Sequence, residues 1–154
     1  HPKRLSIYRR KNMKEIKTEI IINAAPEKVW SILTNFEDYP NWNPFISYIS
    51  GEKEVGSKLN VSINPPGDKG MTFKPTLLKF EKSKEFRWKG KVFIKGLFDG
   101  EHFFVLSKTD NNKTKLIQGE KFSGILVPIF GKTLDKTKEG FKLMNESLKN
   151  ESEK

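Results

Sequence analysis

Residues 133 to 149 read TLDKTKEGFKLMNESLK, and the reading of this stretch decides the fold. Leu134, Thr137, Phe141, Met144 and Leu148 recur at a 3-4-3-4 spacing, which places them on one stripe of an α-helix and leaves mainly charged residues around the rest. Gly140 lies beside Phe141 on the same face. A helix of this length needs an apolar surface to cover, and the chain before it supplies one.

From Phe45 to Gly124 the pattern is strands near 45–50, 57–63, 71–81, 85–93, 98–108 and 114–124, separated by the turn signals GEKEVG, NPPGDKG, EKSKE, IKGLFDG and TDNNKT. Strands joined by such short loops pair antiparallel. Further upstream, IKTEIII at 16–22 reads as a first strand. AAPEKVWSILTNF reads as a helix, with Pro26 in its first turn and Val29, Trp30 and Leu33 on its apolar side. A second short helix is expected from the Asn35–Asp38 arrangement through about Tyr39; Pro40 disrupts it, and Pro44 ends it by forcing Asn43 extended.

The predicted order is thus one strand, two short helices, six strands and one long helix. It describes an α+β architecture in which a seven-stranded curved antiparallel sheet wraps around the C-terminal helix. A sheet that grips the helix rather than flattening onto it leaves a cavity between them.

Composition narrows the chemistry. The 154 residues suit one domain. Cysteine is absent, so disulfides, thiolate nucleophiles and Cys-based zinc sites are excluded. His1 and His102 are the only histidines, and no carboxylate cluster stands at ligand spacing, so neither metal nor cofactor is expected. The leading HPKRLSIYRRKN carries five basic residues and no acid. It is expected to be a disordered tail or an expression remnant, with Met13 the more natural start, a domain over 13–150 and a charged tail over 151–154. Without residues 1–12 the balance is 24 basic against 19 acidic residues, a net charge of +5 instead of +10. The remaining lysines are scattered among glutamates, which fits a solvated surface better than a nucleic-acid footprint. No run reaches the roughly 18 to 20 apolar residues that cross a bilayer, and a cytoplasmic location is the default expectation.

The stretches APEKVWSILTNFEDYPNWNPFI, MTFKPTLL, FRWKG, GLFDGEHFF and EKFSGILVP resemble the START-like (SRPBCC) superfamily in its polyketide cyclase/dehydrase-type bacterial branch. The resemblance spans about residues 16–149. It implies the helix-grip fold and an apolar tunnel between the sheet and the long helix. It does not choose among lipid carriers, hormone receptors, cyclases and co-chaperones, because one fold hosts all of these.

Strand alternation sorts the loops into two ends. Loops 51–56, 82–85 and 109–113 are polar, whereas 64–70, 93–98 and 124–132 carry Ile94, Leu97, Ile125, Leu126, Ile129 and Phe130. The second end is read as the mouth of the cavity, with local packing the alternative. In the last hairpin a three-residue loop of Asn111, Asn112 and Lys113 would set Leu106 opposite Gln118, Phe104 opposite Glu120 and His102 opposite Phe122. A two-residue turn would instead send Phe103 and Val105 inward.

The ligand-lining candidates are Trp30, Tyr39, Trp42, Phe45, Phe73, Phe86, Trp88, His102, Phe104, Gln118, Glu120, Phe122, Phe141 and Met144. Arg87 and Lys89, alternating with Trp88, are expected to face solvent. Tyr39, Trp42 and Phe45, from YPNWNPF, either seal the cavity or are plain core; Asn41 and Asn43 cap and turn the chain. His102 and Glu120 are the candidate proton-transfer pair, or they satisfy one another. The expected function is binding or carriage of a small hydrophobic molecule, lipid-like or polyketide-like, by a monomer or weak dimer. A cyclase or dehydratase acting through His102 and Glu120 is one alternative. A co-chaperone or toxin-like interaction module using the outer face of the sheet is another.

Overall fold

The computed structural model describes residues 13–91 and 99–154; the expectations for the leading tail and for Ile94 and Leu97 lie outside them. The chain runs β1 (Met13–Ile22), α1 (Pro26–Leu33), a 3-10 turn (Phe36–Asp38), α2 (Tyr39–Trp42), β2 (Ile46–Ser50), β3 (Asn60–Ile63), β4 (Met71–Phe73), β5 (Thr76–Glu81), β6 (Glu85–Lys91), β7 (Asp99–Lys108), β8 (Thr114–Ser123), a 3-10 turn (Val127–Ile129) and α3 (Gly131–Ser152).

All strand pairs are antiparallel, in the orders β1-β8-β7-β6-β5 and β2-β3-β4. The expected strand 71–81 is divided into β4 and β5, and the reason is Pro75. Val61 stands opposite Phe73 and Lys58 opposite Thr76 in one unbroken register. Leu59 N–H donates to Pro75 O at 2.8 Å, and Leu77 N–H donates to Ser57 O at 2.9 Å. Proline has no N–H to return, so the ladder is interrupted there while the pairing continues on either side. The two groups of strands are therefore linked along residues 57–59 and 75–77.

Helix α3 packs on β1 and β8, with α1 beside it. Leu134, Thr137, Phe141, Met144 and Leu148 are all buried, as their spacing requires. Gly140 lies so close to the Phe45 ring that a β-carbon there would collide with it; the missing side chain lets this ring, edge-on to Phe141 at 5.5 Å, reach the helix. The helix outruns its expected end. Ser152, in the segment expected as a charged tail, is buried in its last turn. Beyond it, the Glu153 carboxylate accepts hydrogen bonds from Asn23 N–H and Lys149 Nζ.

The second short helix departs from expectation at Pro40, which occupies the first turn of α2 instead of disrupting it. Proline is tolerated there because that N–H has no partner within the helix. Asn43 ends α2 in an extended conformation, as Pro44 demands, and its Oδ1 accepts from the N–H groups of Phe45 and Ile46 at 3.0 and 2.8 Å. Asn41 donates to Asp38 at 2.7 Å. Asn43 thus acts on the local backbone, whereas Asn41 ties to the Asp38 side chain one turn earlier. Tyr39 is fully buried and donates its hydroxyl to Leu33 O at the end of α1; burial pushes its pKa well above the ordinary 10.0.

Candidate functional site

The last hairpin sets the inner face of the sheet, and its register differs from the expected one. Leu106 stands opposite Leu116, Phe104 opposite Gln118, His102 opposite Glu120, and Gly100 opposite Phe122. The loop is Asp110, Asn111 and Asn112, closed by Thr109 N–H donating to Lys113 O at 2.9 Å, and Asn112 takes the left-handed position with φ of 55°. It begins one residue earlier than expected, so every pairing slides by two residues. Because side chains alternate with a period of two, a slide of two leaves each one on its original face. Phe103 points outward, buried beneath the Arg87 guanidinium at 4.7 Å. Arg87 is not simply solvated: it also meets Glu85 at 3.1 Å and Glu101 at 3.0 Å.

A cavity of about 90 Å³ opens between the sheet and the start of α3. Its apolar lining includes Phe45, Ile63, Met71, Phe73, Phe122 and Leu134, its inner polar lining His102, Glu120 and Thr137, and its rim Pro65, Asp68, Lys69 and Thr133. The floor is made by absence. Gly90 and Gly100 are direct cross-strand partners on β6 and β7, and both line the space. A β-carbon on Gly90 would sit 3.3 Å from the Phe73 ring, and one on Gly100 would overlap the second carboxylate oxygen, Oε2, of Glu120. Loop 64–70 stands at the end expected to be the mouth.

Of the fourteen candidates, the structure brings Phe45, Phe73, His102, Glu120 and Phe122 to the cavity. Phe86, Trp88 and Phe104 instead form solid core beside it, with Phe86 between the rings of Phe36 and Phe104 at 5.7 and 5.5 Å. Trp88 reaches the site through His102, 4.7 Å from the imidazole, and Phe141 through His102 at 4.7 Å and through Phe45 at 5.5 Å. Trp30 packs on Phe80, and Tyr39 packs on Phe36 and Trp42. These rings fill the space beneath α1 and α2, so the cavity is confined to the other end of the sheet. Met144 is buried in the core. Gln118 lies behind His102, away from the cavity lining.

Sequence reasoning missed Gly90 and Gly100, although an isolated glycine within a strand is a recognised mark of close approach by a ligand or another chain segment. It also missed Ile63, Met71 and the residues of α3 nearest the rim. Nothing in their alternation separates cavity wall from core.

The polar groups form one connected chain. His102 Nδ1 lies 3.2 Å from Glu120 Oε1, and His102 Nε2 lies 2.9 Å from Gln118 Oε1. Gln118 Nε2 donates to Asn145 Oδ1 at 2.7 Å and to Phe141 O at 3.3 Å. Asn145 Nδ2 donates to Thr18 Oγ1 at 2.9 Å, and that hydroxyl donates to Gln118 O at 2.8 Å. The His102 and Glu120 side chains are 4% and 15% exposed, so their pairing is shielded from water. Chemically, the arrangement offers an apolar container with one proton-carrying pair in its wall. Among the described residues no group of three or more His, Asp or Glu side chains could hold a metal ion.

The family model described as "Polyketide cyclase / dehydrase and lipid transport" matches residues 13–153. No curated protein is similar enough to match. Among solved structures, a hypothetical protein from Helicobacter pylori is 17% identical with a TM-score of 0.73, over 90% of this chain and 88% of that one. A START superfamily protein from Mycobacterium smegmatis is 18% identical with a TM-score of 0.71, over 90% and 97%. A Thalictrum norcoclaurine synthase point mutant, in complex with a transition-state analogue, is 12% identical with a TM-score of 0.68, over 91% and 94%. At these identities the likeness is one of fold.

Proposed function

The chain belongs to the polyketide cyclase/dehydrase and lipid transport family, and from that premise we propose that it binds a small hydrophobic molecule in the cavity between the sheet and α3. The observation that carries the reading is the cavity itself: an apolar container at the open end of the grip, floored by two paired glycines where side chains would otherwise fill the space. A pre-formed cavity lets a ligand gain dispersion contacts without opening a packed core. Its 90 Å³ is less than the roughly 150 Å³ of an apolar cavity that takes up benzene, so a one-ring ligand would extend into the mouth beside Asp68 and Lys69. No helix among the described residues is long and apolar enough to cross a membrane. We read the protein as a cytoplasmic monomer or weak dimer without a nucleic-acid partner.

Native mass spectrometry of the purified protein tests for a co-purified small molecule, and titration with an apolar fluorescent probe tests the cavity directly. Saturable binding near one probe per chain is expected, with a change in the emission of Trp88 transmitted through its stack on His102. Absence of probe binding at high protein concentration would overturn the reading.

The His102–Glu120 pair favours a second reading, a cyclase or dehydratase acting on a polyketide-like carbonyl compound. A carboxylate and an imidazole sharing a hydrogen bond at the wall of an apolar site can take a proton from a bound substrate and return it. Glu120→Leu separates the two readings. An enzyme would lose turnover by about 100-fold or more while still binding substrate; a carrier would show no turnover to lose.

A further inference from the structure

The hydrogen-bonded chain behind the cavity has a fixed direction, and that direction decides what the cavity wall can offer a ligand. Phe141 O and the backbone carbonyl of Gln118 can only accept. Facing Phe141 O at 3.3 Å, the Gln118 side chain must present its NH2 group, which leaves Oε1 toward His102. The Thr18 hydroxyl gives its single proton to Gln118 O, so it must accept from Asn145, whose Oδ1 is then the acceptor for Gln118 Nε2. Two carbonyls thus orient both amides independently and consistently. An amide oxygen facing His102 Nε2 requires a proton on that nitrogen. The other ring nitrogen, Nδ1, faces Glu120 Oε1, where one further proton must lie between two groups that otherwise present only lone pairs to each other.

We propose that Gln118 and Asn145 are positioning residues that hold His102 with its Nε2 proton turned inward, so that His102 and Glu120 share one proton and the site selects a neutral hydroxyl group, an alcohol or phenol, as the polar end of its ligand. The selection follows wherever the shared proton resides. If it is on Nδ1, Glu120 is a carboxylate whose Oε1 is engaged and whose Oε2 accepts. If it is on Oε1, that O–H is engaged with Nδ1 and Oε2 is a carbonyl oxygen, which also accepts. Neither form presents a donor to the ligand. The Thr137 hydroxyl, also on the lining, has spent its proton on Thr133 O. Among the described residues of the inner lining, a ketone, carboxylate or phosphate beside Oε2 would meet lone pairs alone, the Lys69 ammonium standing out at the rim. The pair is net neutral in both forms, so an ammonium group would enter an apolar space with no compensating charge. A hydroxyl remains. Oε2 lies over Gly100, where any side chain would displace it; Gly100 therefore keeps the acceptor accessible from the cavity.

This inference rests on the cavity being a ligand site, and the experiment separates failure of the one from failure of the other. Single-ring probes of similar size, p-xylene, p-cresol, 4-methylbenzaldehyde and 4-methylbenzylamine, are titrated by ligand-observed NMR into the intact protein. Wild type should bind p-cresol about tenfold more tightly than p-xylene, the size of one net hydrogen bond, and should not favour the aldehyde or the amine. Glu120→Gln should keep the p-cresol preference, because its amide would donate to the bare Nδ1 and turn its oxygen to the cavity. Glu120→Leu should abolish it. The 15N spectrum of the His102 imidazole supplies a ligand-free readout, with Nε2 carrying its proton in wild type; Gln118→Leu should release that preference, and Gln118→Asn should not restore it. Binding of p-xylene without any preference for p-cresol would overturn the inference and leave the cavity reading intact, whereas failure of every probe to bind would overturn both. A bare Nε2, or a preference of Glu120→Gln for the aldehyde, would show the opposite direction of the chain and overturn the inference.

Discussion

Tyr39 shows how one buried hydroxyl ties stability to pH. The folded protein holds it as a neutral phenol, because burial raises its pKa, while the unfolded chain releases the proton near the ordinary 10.0. Above that pH the unfolded state binds fewer protons than the folded one, so stability is full below pH 10 and falls as the pH rises beyond it. Tyr39→Phe should cost about 1 kcal/mol at pH 8 through the lost bond to Leu33 O, and should flatten the decline between pH 9 and 11; urea midpoints across that range measure both effects. Gly100 makes the complementary case for binding. Gly100→Ala drives a β-carbon into the flexible end of Glu120, so the carboxyl must swing away from His102. The fold should persist, while probe affinity falls about tenfold, the worth of one hydrogen bond and part of the space. Of these two residues, Tyr39 is visible in the sequence as part of a ring-rich stretch, but the sequence leaves open whether it seals the cavity or is plain core. A ring beside a proline looks the same whether its neighbour is a ligand or another ring.

At the scale of elements, the final helix and the hairpin before it mark how far periodicity carries. The five-residue apolar stripe of α3 was legible because a period near 3.6 needs no partner to be recognised. Its true end was not, since Glu146 to Lys154 are mostly charged and the last turn is held by groups far away in sequence. The Glu153 carboxylate accepts from the Lys149 ammonium and from Asn23 N–H at the end of β1, and the Lys149 bond, the larger cause, holds its pKa below the ordinary 4.5. A depressed folded-state pKa means that this contribution is present above pH 4.5 and disappears as the pH drops through the folded value. Glu153→Gln should therefore be less stable than wild type at pH 7, with the two converging by about pH 3 in thermal melts. For the hairpin of β7 and β8 the facing side chains were identified correctly and the pairing was not. Facing depends on the parity of the count, which a slide of two preserves, whereas pairing depends on which asparagine accepts the left-handed position. The sequence offers two adjacent candidates, and only Asn112 takes that position.

For the whole molecule, the division between solid core and cavity is the feature least legible beforehand. Both regions are built from the same rings at the same alternation, and what separates them is that α1 and α2 fill one end of the grip while loop 64–70 only rims the other. Substitutions should read that division out. Phe86→Ala, deep among stacked rings, should cost about 3 to 5 kcal/mol in denaturant unfolding with little change in probe affinity for the molecules that stay folded. Phe73→Ala, half-buried at the cavity wall, should cost clearly less stability and weaken probe binding more. The pairing of β1 with β8 has a further consequence. Met13 to Ile22 finds its partner about a hundred residues further along, at Thr114 to Ser123, so the first strand completes the sheet only when almost the whole chain is available. Closing so long a loop is entropically expensive, and chains dominated by such distant contacts fold over milliseconds to seconds. On a ribosome, β1 would emerge first and wait unpaired while the rest is made, and until it docks β8 offers a bare edge to any other extended chain. The order of synthesis and the order of assembly are opposed in this protein, and the interval between them is where aggregation would begin.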